Sequence, residues 1–89
     1  MFFATKIKMI KGKEKSNNLL EIDEIFVDGF GWQKKAFYYD YLGSHLGSIL
    51  VNIKPFPPLI KQLSVNNEKY VKSKPNKFGF DNLLDLPRE

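Results

Sequence analysis

The stretch that decides the fold is Leu59-Ile60-Lys61-Gln62-Leu63-Ser64-Val65-Asn66-Asn67-Glu68-Lys69-Tyr70-Val71-Lys72-Ser73. Two runs that mix apolar and polar residues, Leu59 to Val65 and Glu68 to Ser73, flank the pair Asn66-Asn67. Asparagine tolerates the left-handed backbone conformations that tight hairpin turns require. The stretch therefore predicts a β-hairpin.

The residues before this hairpin predict a helix followed by a strand. Phe37, Tyr39 and Tyr41 alternate like a strand, whereas the leucines and isoleucines of 42–53 repeat like one face of a helix. Because Gly43 and Gly47 disfavour a long helix, we expect a short helix within 35–47 and a strand over 48–53. The prolines of 55–58 remove ladder donors and fix φ, so that segment is predicted to be a stiff connector.

The N-terminal third predicts two paired strands. In Thr5–Ile10, Ile7 and Met9 alternate with Lys6 and Lys8, which is the period of a half-buried strand. A polar loop over 11–18 leads to a second strand over 19–26, whose acidic residues should lie beside the lysines of the first strand. The run Gly29-Phe30-Gly31-Trp32 then predicts an aromatic turn.

The C-terminal residues predict a short capped turn. Pro75-Asn76 should end the last strand, and Asp81 or Asn82 can cap one helical turn that Pro87 prevents from extending. The leucines of this turn would close the hydrophobic core as a latch. Their numbers are Leu83, Leu84 and Leu86.

Together these segments predict a single α+β domain over residues 1–89. It has a small, mainly antiparallel sheet of four or five strands, one short helix and the C-terminal latch, because a chain of 89 residues holds only one core. The residues expected in that core are Leu20, Ile22, Trp32, Ile49, Val51, Leu63, Tyr70 and Leu86.

Composition limits the cellular setting. The chain carries a net charge of +4 and has no cysteine, which fits a reducing cytoplasm and excludes thiolate metal sites. No stretch approaches the roughly 20 apolar residues that span a bilayer, so no membrane association is expected. Lys6 and Lys8 interrupt the apolar N-terminus, which therefore does not read as a signal peptide.

The C-terminal quarter resembles a known family. The run Lys69-Tyr70-Val71-Lys72-Ser73, followed by Asp81-Asn82-Leu83-Leu84-Asp85-Leu86-Pro87, is similar to the tail of the domain-of-unknown-function family numbered three-eight-nine-two. Members of that family end with a Tyr-Ile/Leu-Arg strand and an Asp-Asn-Leu-x-x-Leu-Pro segment, and Lys72 stands where the arginine is usual. The resemblance implies a compact α+β domain of bacterial or phage origin and brings no established activity.

The residue inventory disfavours catalysis. His45 is the single histidine, and neither Ser44 nor Ser48 beside it sits in a nucleophile motif. The carboxylates Glu21, Asp23 and Glu24 lack a calcium-loop pattern. We therefore expect a protein that is not an enzyme and that uses no cofactor and no metal.

Binding is the remaining class. A protein partner, which the sequence does not identify, is the leading hypothesis, since aromatic residues suit interface hot spots; a homodimer is compatible with it. The alternative is a single-stranded nucleic-acid or nucleotide-binding module, in which aromatics stack on bases and lysines contact phosphates. The candidate binding residues for either hypothesis are Phe30, Trp32, Lys34, Lys35 and Tyr39.

Overall fold

The computed structural model describes residues 1–75 and 81–89 and has an α+β architecture, as predicted. One α-helix and six strands lie in this part of the chain, with short 3₁₀ turns at Leu19–Glu21 and Asn82–Asp85. In chain order the elements are β1 (Phe2–Met9), β2 (Ile22–Val27), β3 (Gly31–Lys34), α1 (Lys35–Leu42), β4 (Ile49–Val51), β5 (Leu59–Leu63) and β6 (Lys69–Ser73).

The strands form two sheets. A four-stranded sheet has the order β3-β2-β1-β4, in which β1 pairs antiparallel with β2 and parallel with β4. The second sheet is the predicted hairpin of β5 and β6, with Leu59 opposite Ser73. Asn67 adopts the expected left-handed conformation at its turn, with φ of 61°. The hairpin and the short helix within 35–47 are thus confirmed.

Three boundaries differ from the prediction. β1 begins at Phe2 rather than Thr5, because residues 2–4 pair with β4, a partner distant in sequence. The second strand begins at Ile22 rather than Leu19, since the Asn18 side chain caps a 3₁₀ turn over 19–21. Trp32 lies in β3, where it pairs with Phe26, rather than in a turn. Asn76, part of the predicted strand stop, lies outside the described residues.

The core lies between the four-stranded sheet on one side and α1 with the hairpin on the other. Of the predicted core residues, Ile22, Ile49, Val51 and Leu86 are buried. The prediction that Leu63 lies in the core is wrong. Its side chain is 43% exposed because it lies at the end of β5 beside the hairpin turn. The remaining three predicted core residues are only half-buried, namely Leu20, Trp32 and Tyr70.

Tyr38 joins the helix to the sheet. Its side chain is fully buried, and its hydroxyl group lies within hydrogen-bonding distance of the carbonyl oxygens of Ile25 (3.0 Å) and Gly31 (3.1 Å). Burial raises the pKa of this hydroxyl group above the ordinary tyrosine value, because the charged phenolate would lose its hydration. The helix is therefore anchored to β2 and β3 by a neutral phenol.

The C-terminal segment acts as the predicted latch. Asp81 caps the turn by accepting a hydrogen bond from the Leu83 amide, and both Leu83 and Leu86 are buried. Beyond the turn, the Ile7 amide donates to the Pro87 carbonyl at 2.9 Å, and the Glu89 amide donates to the Ile7 carbonyl at 2.9 Å. The last residues thus extend the sheet beside β1.

Replacing Leu86 with alanine should lower the free energy of unfolding by about 2–5 kcal/mol, because a buried leucine leaves a cavity when it is truncated. Urea denaturation followed by circular dichroism measures this loss. The control is Val65→Ala, since Val65 is 99% exposed and should unfold like the wild type. Equal stability of Leu86→Ala and the wild type would contradict the latch.

Tyr38→Phe should lower the free energy of unfolding at neutral pH by about 0.5–1.5 kcal/mol, because one buried hydrogen bond is lost. The raised pKa of Tyr38 adds a pH effect: its contribution to stability is complete below about pH 10 and is lost as the pH rises further. Urea denaturation at pH 9 and pH 11 should therefore show a smaller alkaline loss for Tyr38→Phe than for the wild type. Equal losses would show that the tyrosine is not held neutral.

Candidate functional site

The four-stranded sheet has one face that points away from the core. Ile7 and Ile25 are fully buried, so their neighbours in the strands point to the opposite side. We call this opposite side the open face. Its residues on β1, β2 and β3 include Lys6, Lys8, Glu24, Phe26, Trp32 and Lys34, which the strand register places side by side.

An aromatic pair occupies the centre of the open face. Phe26 and Trp32 lie directly opposite each other on β2 and β3, with ring centroids 5.5 Å apart and planes at 71°. This edge-to-face geometry is favourable for aromatic rings. Both side chains are half-buried and keep part of their surface in contact with solvent.

Two lysines of β1 extend over these rings. The Lys6 ammonium group lies 4.7 Å from the Phe26 centroid, and the Lys8 ammonium group lies 4.6 Å from the Trp32 centroid. A cation at this distance is attracted by the negative face of an aromatic ring. The open face therefore combines exposed ring surface with positive charge.

Carboxylates balance that charge. Lys34 donates to Asp23 at 2.6 Å, and this hydrogen bond raises the pKa of Lys34 above its ordinary value. Lys6 pairs with Glu89 at 3.3 Å, and Glu24 stands in register between Lys8 and Lys34. As predicted, an acid of the second strand therefore lies opposite a lysine of the first. Each of the three lysines has a carboxylate as a neighbour.

The structure separates the residues predicted for binding. Trp32 and Lys34 share the open face. Phe30 instead lies in an aromatic cluster at the end of the sheet, with ring centroids 4.8 Å from Phe2 and 4.9 Å from Tyr41.

The remaining two predicted residues lie on the side of the hairpin. Lys35 begins α1 and pairs with Glu68 at 3.2 Å. The Tyr39 ring lies between two hairpin lysines, with ammonium groups 5.3 and 5.5 Å from its centroid. The five predicted residues therefore belong to three different surfaces.

The predicted binding residues leave out four residues of the open face: Lys6, Lys8, Glu24 and Phe26. A usable signal was present for the lysines, because they alternate with Ile7 and Met9 in β1. Phe26 gave no such signal, since its place beside Trp32 depends on the register between β2 and β3.

His45 lies in the turn after α1, where its ring contacts Ser44 and Tyr41. Its Nδ1 atom lies 3.1 Å from the Ser44 hydroxyl oxygen and 3.1 Å from the Tyr41 carbonyl oxygen, and its ring stacks on Tyr41 with centroids 4.2 Å apart. Within residues 1–75 and 81–89, no carboxylate forms a hydrogen bond or ion pair with it. Among the same residues, no three His, Cys, Asp or Glu side chains lie close enough together to hold a metal ion.

Comparison with known proteins adds no relative: no family model, no curated protein and no solved structure matches this chain. The resemblance of the C-terminal quarter to the family numbered three-eight-nine-two stays a prediction. Among the described residues, no helix has the length and apolar character needed to cross a bilayer.

Phe26→Ala should shift the fluorescence emission of Trp32 to longer wavelength, because removing the neighbouring ring exposes the indole to water. Trp32 is the single tryptophan, so the signal is unambiguous. The change should also cost about 0.2–1 kcal/mol of cross-strand stabilisation. Phe37→Ala is the control, since Phe37 is 40% exposed and packs against Phe30 instead. An unchanged emission maximum in Phe26→Ala would contradict the aromatic pair.

Proposed function

We propose that this chain is a small non-enzymatic binding protein that holds a protein partner on the open face of its four-stranded sheet. The observation that carries the proposal is an aromatic pair, Phe26 and Trp32, surrounded by lysines whose charge is balanced by carboxylates. The resemblance of the C-terminal quarter supports a bacterial or phage origin, and the lack of cysteine supports a cytoplasmic location.

Aromatic residues favour protein interfaces for a physical reason. Trp32 and Phe26 keep part of their aromatic surface exposed to solvent, and aromatic residues dominate the binding energy of many interfaces. A ring of polar and charged groups around an apolar centre is also the usual composition of an interface. On this chain the surrounding groups are Lys6, Lys8, Lys34 and Glu24.

Single-stranded nucleic acid is the second candidate. It is favoured by Lys6 and Lys8, whose ammonium groups lie beside rings on which bases could stack. It is disfavoured by Asp23, Glu24 and Glu89, since these carboxylates compete for the lysines and repel phosphates. We therefore rank a protein partner first.

A photo-crosslinking amino acid in place of Lys34, introduced in a bacterial host, tests the proposal directly. Lys34 lies at the edge of the open face, and losing its exposed ion pair with Asp23 should cost little stability. We expect irradiation to link the chain to a distinct protein, either a second copy or another polypeptide, and Trp32→Ala to remove that product. The control position is Val65, which is 99% exposed and lies in the turn of the β5–β6 hairpin, outside the four-stranded sheet.

Salt dependence separates the two candidates. Binding centred on aromatics should change little between low and physiological salt, whereas phosphate contacts release counterions and weaken steeply. Titration of a fluorescent oligonucleotide should accordingly show weak, nonspecific binding at most. Submicromolar affinity at physiological salt, abolished by Trp32→Ala together with Lys34→Glu, would overturn the ranking.

A further inference from the structure

A cleft separate from the open face lies between the loop before β2, strand β6 and the C-terminal turn. Its volume is about 620 Å³, which falls in the range of small-molecule sites. Residues from all three segments line it. They include Asn17, Asn18, Leu19, Tyr70, Asp81 and Leu84.

The walls of this cleft are held in place. The Arg88 guanidinium group donates to the carbonyl oxygens of Glu14 and Ser16 at 2.9 Å each and to that of Leu84 at 3.0 Å. It therefore ties the loop to the C-terminal turn. On the loop itself, Asn18 accepts a hydrogen bond from the Leu20 amide at 3.0 Å. A site whose walls are already fixed loses little conformational entropy when it binds a ligand.

Several polar groups of the lining have bonding capacity left. Among residues 1–75 and 81–89, no hydrogen bond engages the Asn17 side chain, the Asn18 Nδ2 group or the Tyr70 hydroxyl group. Asp81 uses its Oδ1 atom for Ser73 and Leu83, which leaves Oδ2 as an acceptor. The cleft thus offers both donors and acceptors.

The charge of the residues that line the cleft favours an uncharged ligand. Of the described residues, Asp81 is the charged one that lines the cleft, and the neighbouring Arg88 guanidinium group is engaged by three backbone carbonyl oxygens. A phosphate or carboxylate would therefore face the Asp81 carboxylate without a lining cation to pair with. Leu19 and Leu84 provide apolar surface beside the polar groups. A hydroxyl group both donates and accepts hydrogen bonds, and a sugar ring presents several of them next to an apolar C–H face.

We propose that this cleft binds a neutral polyhydroxylated small molecule of the monosaccharide class. The Tyr70 hydroxyl group and the Asn17 and Asn18 amides contact ligand hydroxyl groups, and the Asp81 Oδ2 atom accepts a hydrogen bond from one of them. The leucine side chains pack against the sugar ring. This site is independent of the partner proposed for the open face.

The test is an NMR titration of the ¹⁵N-labelled full chain with glucose, galactose and N-acetylglucosamine, in parallel with glucose 6-phosphate. At least one neutral sugar should shift the amide signals of residues 16–20 and 70 at millimolar concentration, and the phosphorylated sugar should bind more weakly. Asn17→Ala and Tyr70→Phe should each weaken binding by about threefold to tenfold, because each removes one hydrogen bond. Asn66→Ala, at the exposed hairpin turn, is the matched control and should bind like the wild type.

Three outcomes would overturn the proposal: no shift with any neutral sugar, tighter binding of the phosphorylated sugar, or wild-type affinity in both cleft variants. Asn17 is exposed, and Tyr70→Phe keeps the ring, so neither variant should unfold. Trp32→Ala distinguishes the two sites, since it should leave sugar binding intact while it removes the protein crosslink at the open face.

Discussion

Strand β1 is the element on which the rest of the structure depends, because it pairs with three segments at once. β2 lies along one side, and β4 and the residues after Leu86 share the other side. A strand with neighbours on both sides satisfies its backbone hydrogen bonds and fixes which side chains point to the core. Ile7 is fully buried for this reason, and Lys6 and Lys8 are forced onto the open face.

Local patterns accounted for the parts of the fold that are local in sequence. The β5–β6 hairpin, the short helix and the capped C-terminal turn each depend on residues within a few positions of one another, such as Asn67 or Asp81. The parallel pairing of β1 with β4 could not be predicted in this way. It pairs Phe2 with Ile49, and a pattern within a short stretch of sequence cannot indicate a contact between residues so far apart. For the same reason the prediction began β1 too late.

The candidate site was predicted less well than the fold. Aromatic composition pointed to residues 30–39, but composition does not tell which face of an element a side chain occupies. Trp32 lies on the open face because it pairs with Phe26. Phe30 instead packs in a cluster with Phe2 and Tyr41. The register of β2 with β3, which the sequence does not reveal, therefore decides which aromatics are available for binding.

The pairing of Ile7 with Pro87 and Glu89 has a consequence for how the chain folds during its synthesis. Contacts between residues distant in sequence form slowly, since a long loop must close before they contribute. The β5–β6 hairpin can form soon after it leaves the ribosome, but one side of β1 stays incomplete until residues 87–89 have emerged. Until then β1 presents unpaired backbone groups at its edge, which is the kind of surface that joins other chains. A chain in which residues 87–89 are not yet in place therefore exposes the edge of β1 to pairing with other chains.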